Sequence, residues 1–344
     1  MKVGVVGLGL IGGSIALGLK GKAEIIGVDL NEETLKIARE REICTTVSND
    51  LSSLKSAEVV FVAVPLKAVT GIVKKLSSFP CVITDVGSLK SDLARELAEI
   101  PNYIGTHPMA GRELGGITAA DGALFENALW VVDSTRETKL IEKVTPIIES
   151  LGAYTFLLDP LTHDKMAATV SHLPHLVAVA LTLAASKLSN YDDRYFLMAA
   201  GGFRDSTRIA SGDPELWHTI LTTSPYLLEA AETFQEILAE LIATDNLKKH
   251  LQDACLVREK LPYRGRGVVG DVFSLVIAVE DKPGAIGEIT SSLAKEHINI
   301  KEIEILKQRE GETGPLRLGF QSSQIALQAL DLLQKLGYAV EARW

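Results

Sequence analysis

Cysteine is scarce in this 344-residue chain: Cys44, Cys81 and Cys255 are odd in number, widely separated and outside any C-x-x-C or metal-ligand spacing. That excludes a disulfide-stapled scaffold and a zinc site, and predicts reduced thiols in a cytoplasmic protein without a bound metal. Excess positive charge is also missing. With 35 Lys and Arg against 44 Asp and Glu, the net charge is −9. This opposes binding to DNA, RNA or an anionic membrane surface, but allows a basic pocket for a small anion. A membrane-length apolar run is absent too, since the uncharged stretch Leu176–Ser186 is far short of the roughly 20 residues that cross a bilayer. The uncharged stretch Val3–Leu19 carries six glycines, which would weaken a signal helix. No targeting or transmembrane segment is expected.

What is present suits an ordinary globular chain: 47% hydrophobic and 23% charged residues, in a length that accommodates two or three domains. Lys2–Val6 reads as a strand, Gly7–Gly13 as a turn, Ser14–Lys20 as the start of a helix and Glu24–Asp29 as a second strand. The turn is G-L-G-L-I-G, in which Gly7, Gly9 and Gly12 frame Leu10 and Ile11, and Asp29 lies 22 residues after Gly7. Gly7 permits a tight turn, Gly9 lets a pyrophosphate approach the backbone, and Gly12 allows close helix packing. The amides of the helix start then face the phosphate. A carboxylate at Asp29 accepts bonds from ribose hydroxyls and repels a 2′-phosphate, which favours NAD over NADP.

A helix over Asn31–Arg41 and strands over Glu58–Val64, Cys81–Val86 and Tyr103–His107 continue the β/α rhythm. Ligands of such open sheets lie beyond the carboxyl ends of the strands. Val64 and Pro65, Gly87 and Ser88, and His107 and Pro108 are therefore the expected contacts of the nicotinamide and its substrate. His107, in T-H-P-M-A-G-R-E (Thr106–Glu113), is either a hydrogen-bonded spacer or a base for an alcohol proton, held by the Pro108–Gly111 turn. Ser88, in D-V-G-S-L-K (Asp85–Lys90), is expected to cap a helix beginning near Leu89 and also to lie near the bound ring.

A second polar set follows. The helix expected over Leu161–Ser189 carries S-H-L-P-H (Ser171–His175), with Ser171 and His175 on one face and Pro174 bending the axis. G-G-F-R-D-S-T-R-I-A (Gly201–Ala210) places Arg204 and Arg208 on one helical face, as a solvated face or as a bidentate clamp for a carboxylate.

In this order, G-L-G-L-I-G-G-S, D-V-G-S-L-K, T-H-P-M-A-G-R-E, S-H-L-P-H and G-G-F-R-D-S-T-R-I-A resemble the prephenate dehydrogenase family over roughly residues 1–261. The resemblance implies an α/β Rossmann-type NAD-binding domain, then an all-α dimerisation domain, and thus a homodimer. It implies oxidative decarboxylation of prephenate to 4-hydroxyphenylpyruvate with NAD⁺, in tyrosine biosynthesis. On matching positions, His107 is the implied base for the ring 4-hydroxyl with Ser88 positioning it. Arg208 is implied to bind the ring carboxylate, and Ser171 and His175 to line the same pocket. Arg112 and Glu113 fall where members of the family vary. Arg112 suits the pyruvyl carboxylate of prephenate, whereas Glu113 suits the ammonium of arogenate or pairs with Arg208. Prephenate is the expected substrate and arogenate (cyclohexadienyl) dehydrogenase activity the alternative. Two other readings explain less. A β-hydroxyacid dehydrogenase resembles its relatives in a Lys followed four residues later by Asn, but here Lys165 is followed by Thr169. A non-catalytic NAD- and amino-acid-sensing regulator has no use for His107 together with Arg208.

Arg258–Gly270 concentrates Gly, Pro and basic residues and reads as a linker. Beyond it, strands over Val272–Val279, Asn299–Lys307, Leu316–Gln321 and Tyr338–Arg343 and helices over Ala285–His297 and Gln324–Leu336 give the ferredoxin-like order βαββαβ. V-E-D-K-P-G-A-I-G-E-I (Val279–Ile289) resembles the ACT domain, a sensor of small molecules, over about residues 271–344. Asp281, Pro283, Gly284 and Asn299 form the expected effector site, where a helix start would receive an amino acid's carboxylate. Tyrosine, as end product, is the expected effector. The expected domains are 1–159, 160–262 and 263–344.

Overall fold

The computed structural model describes residues 1–112, 114–190, 192–259, 273–280, 282–305 and 314–343. They divide into two compact units, the first spanning Met1–Asp253 and the second holding the C-terminal sheet. The first unit contains the α/β layer and the helices that follow it as far as Asp253.

The α/β layer is an eight-stranded sheet of β1 (Lys2–Val6), β2 (Glu24–Val28), β3 (Thr46–Ser48), β4 (Val59–Val62), β5 (Val82–Asp85), β6 (Tyr103–Pro108), β7 (Leu129–Asp133) and β8 (Tyr154–Leu158). Its order is β3-β2-β1-β4-β5-β6-β7-β8. β1 to β6 run parallel, in the doubly wound arrangement whose strand order reverses between β1 and β4. β7 is antiparallel to β6, and β8 runs parallel to β7 at the edge.

Burial on both faces explains the apolar strands. In β4, Val59 and Phe61 enter a core with Leu8, Ile15 and Trp130, while Val60 and Val62 enter another with Val69, Val73 and Leu97. The period of two sends alternate side chains to opposite faces, so a strand covered on both sides reads as a continuous apolar run. Helices α1 (Leu10–Gly18), α2 (Glu32–Glu40), α3 (Leu66–Leu76), α4 (Ser91–Glu96) and α5 (Thr138–Ser150) provide that cover.

The first helix starts at Leu10 rather than Ser14, with Gly9 as its N-cap. Gly12 and Gly13 belong to its opening turn because the helix lies against the loop it leaves. A Cβ on Gly12 would stand 1.9 Å from the Gly7 carbonyl oxygen.

The helical part follows as α6 (Pro160–Ala167), a π-helical turn over Ala168–His172, α7 (Leu173–Ser189), α8 (Arg194–Leu197), α9 (Gly201–Thr207), α10 (Pro214–Thr223), α11 (Leu227–Ala243) and α12 (Leu247–Glu259). The π-helical turn precedes Pro174, whose missing N–H and bulky ring disturb the preceding turn. The continuous helix Pro160–Ser189 is long and apolar enough to cross a membrane by length and composition alone. Its His163 and Asp164, however, are buried and bonded to residues of the α/β layer, as in a helix packed within a folded domain.

In the second unit, β9 (Phe273–Val279), β10 (Glu302–Ile305), β11 (Gly314–Phe320) and β12 (Val340–Arg343) form an antiparallel sheet of order β10-β11-β9-β12. With α13 (Ala285–Lys295) and α14 (Ser323–Lys335), this is the βαββαβ ferredoxin-like arrangement. Leu275 and Ile277 meet Ile289, Leu293, Ala326 and Leu333 in a core of their own.

A buried charged pair ties the carboxyl ends of β5 and β6. Lys90 Nζ donates to the Asp85 carboxylate and, at 2.8 Å, to the Thr106 carbonyl. Asp85 also accepts the Tyr103 hydroxyl at 2.6 Å and the Gly87 amide at 2.7 Å. Removing one partner leaves the other charge buried and uncompensated. Lys90→Met should therefore lower the unfolding free energy by about 3–5 kcal/mol in urea titrations. Asp85→Asn/Lys90→Met should lose less than the two single losses combined, by more than about 1 kcal/mol.

Candidate active site

The glycine turn is shaped for a dinucleotide. Gly7 has φ +87°, and a Cβ there would lie 2.4 Å from the Ala63 carbonyl oxygen and 3.1 Å from Val64 Cγ1. Val64, just beyond the end of β4, is thus brought against the turn, and Pro65 is the N-cap of α3. Nothing lies within 4 Å of a Cβ built on Gly9, so the backbone there is open to a ligand. The first turn of α1, which includes Leu10, Ile11 and Gly12, has no side-chain cap, and its first backbone bond runs from the Gly13 amide to the Gly9 carbonyl at 2.9 Å. Its opening amides therefore remain available to a phosphate. Asp29 also holds the turn in shape: it accepts the Leu8 amide at 2.7 Å and the Asn31 amide at 2.9 Å. These residues fit NAD.

Three titratable side chains converge at the end of β6. His107 Nδ1 lies 2.8 Å from His163 Nε2, and His163 Nδ1 lies 2.7 Å from Asp164 Oδ1. Asp164 in turn accepts the backbone amides of Lys90 and Ser91, each at 2.8 Å. Burial, then the neighbouring His163, Lys90 and His172, hold His107 well below the ordinary imidazole range. Burial pushes the Asp164 carboxyl up, but hydrogen bonds from His163, Ser91 and Lys90 outweigh it and keep it below the usual carboxylate range. Burial brings His172, bonded through Nδ1 to Ser224 Oγ at 2.9 Å, down to about 4.

Two sequence expectations about local geometry are corrected by the same contacts. Ser88 is not a helix cap, because α4 begins at Ser91, where the distant Asp164 satisfies the exposed amides. Ser88 stands half-buried on the loop between β5 and α4. Arg204 and Arg208 do not share a continuous helix, because α9 ends at Thr207 and Arg208 opens a 3₁₀ turn over Arg208–Ser211. Arg208 is exposed, and its turn packs against α7.

On α7, buried His175 stacks on Trp217 with centroids 3.5 Å apart, and its Nδ1 has no hydrogen-bond partner among the described residues. Ser171 sits half-buried in the π-helical turn. Arg112 is ion-paired with the carboxylate of Asp121, whose backbone amide donates to Ser14 Oγ on α1 at 2.9 Å. Glu113 and Asp281 lie outside the described residues. Pro283 and Gly284 form the exposed turn before α13, with Gly284 at φ +92°. Asn299 does not open the strand as expected; β10 begins at Glu302, and Asn299 is in the preceding loop.

Sequence reasoning missed His163 and Asp164. A signal was present for Asp164: it lies 8 residues before His172 and 11 before His175, on the same helical face as that polar set. The partner, His107, is 56 positions away, and no periodicity joins it to that stripe.

Residues 15–157 match the family model described as the nucleotide-binding domain of prephenate dehydrogenase, and residues 159–253 the one described as its dimerisation domain. A prephenate dehydrogenase of Bacillus subtilis is 34% identical over 340 residues, covering 92% of this chain and 91% of the relative. Among solved structures, prephenate dehydrogenase from A. aeolicus, in complex with hydroxyphenyl propionate and NAD⁺, is 30% identical with a TM-score of 0.70, covering 76% of this chain and 98% of that one. The arogenate dehydrogenase of Synechocystis is 31% identical with a TM-score of 0.66, covering 76% and 100%.

The depressed imidazoles make stability depend on pH in a stated direction. His107, His172 and His175 stay neutral in the folded chain at pH values where unfolded histidine, near pKa 6.5, is protonated. Their contribution is complete above about pH 6.5 and is lost as the pH falls towards the folded values. For His172 the loss is about 3 kcal/mol once the pH reaches 4. Urea unfolding between about pH 7 and 4.5 should show this decline, and His172→Gln should flatten it.

Proposed function

The chain belongs to the prephenate dehydrogenase family, and from that premise we propose how its own residues carry the reaction. That reaction is the oxidative decarboxylation of prephenate to 4-hydroxyphenylpyruvate, in tyrosine biosynthesis. When bound, NAD⁺ supplies the acceptor for the hydride lost from the ring. The turn at Gly7, Gly9 and Gly12 and the opening amides of α1 hold the pyrophosphate, and the remaining lone pairs of Asp29 take the ribose hydroxyls.

His107 takes the proton of the ring 4-hydroxyl as the C4–H bonding pair departs. The ring carboxylate then leaves as carbon dioxide, its C–C pair completes the aromatic ring, and the oxygen, now phenolic, takes the proton back. The observation that carries this assignment is an imidazole held neutral at the carboxyl end of β6, where a base must be unprotonated to act. Ser88, on the loop after the adjacent strand, positions the hydroxyl. Arg208 binds the ring carboxylate in a bidentate manner. Ser171 and His175 line the same pocket, and the unpartnered Nδ1 of His175 supports a polar ligand there. The functional division is drawn at residues 159 and 262.

The protein works as a cytoplasmic homodimer in this reading. Exposed apolar residues of the helical part, among them Val170, Leu183, Leu188, Leu197 and Met198, support burial against a second copy. The C-terminal unit binds tyrosine as a feedback inhibitor at the turn of Pro283 and Gly284. Support comes from α13, which starts at Gly284 without a side-chain cap and so offers backbone amides to a carboxylate.

His107→Asn should lower kcat by several orders of magnitude with NAD⁺ binding retained, whereas Arg208→Ala should mainly raise KM for prephenate. Unchanged turnover in His107→Asn would remove the base assignment. A calorimetric titration should detect tyrosine binding that is lost when residues 271–344 are deleted; no heat together with unchanged activity would refute the effector reading. A higher kcat/KM for arogenate than for prephenate would reverse the expected substrate preference.

A further inference from the structure

We propose that His163 and Asp164 are positioning residues: together they fix the tautomer of His107 and share the positive charge it acquires when it takes the substrate proton. The inference deepens the proposed reaction and rests on His107 being its base.

The argument begins with donors that have no choice. The amides of Lys90 and Ser91 can only donate, and each points at one carboxylate oxygen of Asp164 at 2.8 Å. The carboxylate is thereby fixed in orientation, with Oδ1 also 2.7 Å from His163 Nδ1. An ionised carboxylate accepts only, so His163 Nδ1 carries its proton and the neutral ring presents a bare Nε2. That nitrogen is 2.8 Å from His107 Nδ1, which must supply the proton between them. A neutral His107 protonated on Nδ1 has its lone pair on Nε2. This is the form a base requires, and the other tautomer would set two lone pairs against each other.

The same chain serves the next instant. Once His107 is an imidazolium, its Nδ1–H bond to His163 becomes charge-assisted, and the Asp164 carboxylate lies one ring further on, in surroundings where His163 and Asp164 are almost wholly buried. The arrangement is rigid because His163 and Asp164 are adjacent in α6, and Asp164 is clamped to the start of α4.

The test compares variants in the full-length enzyme. His163→Phe keeps a ring but removes the acceptor, and should lower kcat by about 10²–10³-fold while KM for prephenate and NAD⁺ affinity change less than about twofold. His163→Gln, whose amide oxygen can accept from Nδ1–H, should recover at least about tenfold of that loss. In a His107→Asn background, His163→Phe should cost nothing further, because the two act as one unit. Nitrogen-15 NMR of wild type should find His107 protonated on Nδ1 and bare on Nε2. A wild-type His107 protonated on Nε2 overturns the relay even if a variant fails to fold. So does His163→Phe turning over within about threefold of wild type, or a loss that multiplies that of His107→Asn. His107→Asn with normal turnover is a different failure, which removes the base itself.

Discussion

The carboxylate of Asp164 is the contact on which the geometry of the site depends. It reaches from the start of the long helix to the amides of Lys90 and Ser91, and so does the work a local capping side chain would otherwise do for α4. A buried carboxylate that accepts three donors is well satisfied and therefore stays ionised, which makes it both a mechanical clamp and a fixed negative charge. His163 inherits its orientation from that clamp, and His107 from His163. Beneath them the pair of Asp85 and Lys90 holds the ends of β5 and β6 in register with the Thr106 carbonyl. The site is thus mounted on three buried charges, Asp164, Asp85 and Lys90, each costly to isolate and each hydrogen-bonded.

Taken alone, the net charge of −9 opposes binding of a dinucleotide and a dicarboxylate. Placement resolves the conflict. The opening amides of α1 carry the partial positive charge of a helix start at short range, and Arg208, proposed to bind the ring carboxylate, is a planar cation on the turn packed against α7. Long-range repulsion is screened within about 10 Å at ordinary ionic strength, so a few groups near the ligand outweigh the sum over the surface. Arg112 shows the same economy from the other side, because its ion pair with Asp121 helps bind the loop after β6 to the helix that faces the phosphate.

Much of this was legible in the residues. The β-branched runs, the spacing of Gly7, Gly9, Gly12 and Asp29, and the βαββαβ order of the last quarter each depend on local chemistry: a tight turn, a close backbone approach, a period of two. Boundaries were less legible where packing decides them. Helix α1 extends back to Leu10 because its glycines lie against the Gly7 loop, and the helix bearing Arg204 stops at Thr207. β7 and β8 went unread, since an antiparallel strand added beyond β6 breaks the β/α rhythm that signals the others.

By itself, then, the sequence determined the dinucleotide turn, the candidate base His107 and the order of the three architectural parts, because these rest on contacts between near neighbours in the chain. Only the tertiary structure decided that His107 answers to His163 and Asp164, and that Ser91 rather than Ser88 begins a helix. Those facts follow from contacts across 56 and 73 positions. Hydrogen bonds over such separations leave no periodic trace, since what selects them is the need to satisfy buried donors and acceptors after the chain has packed.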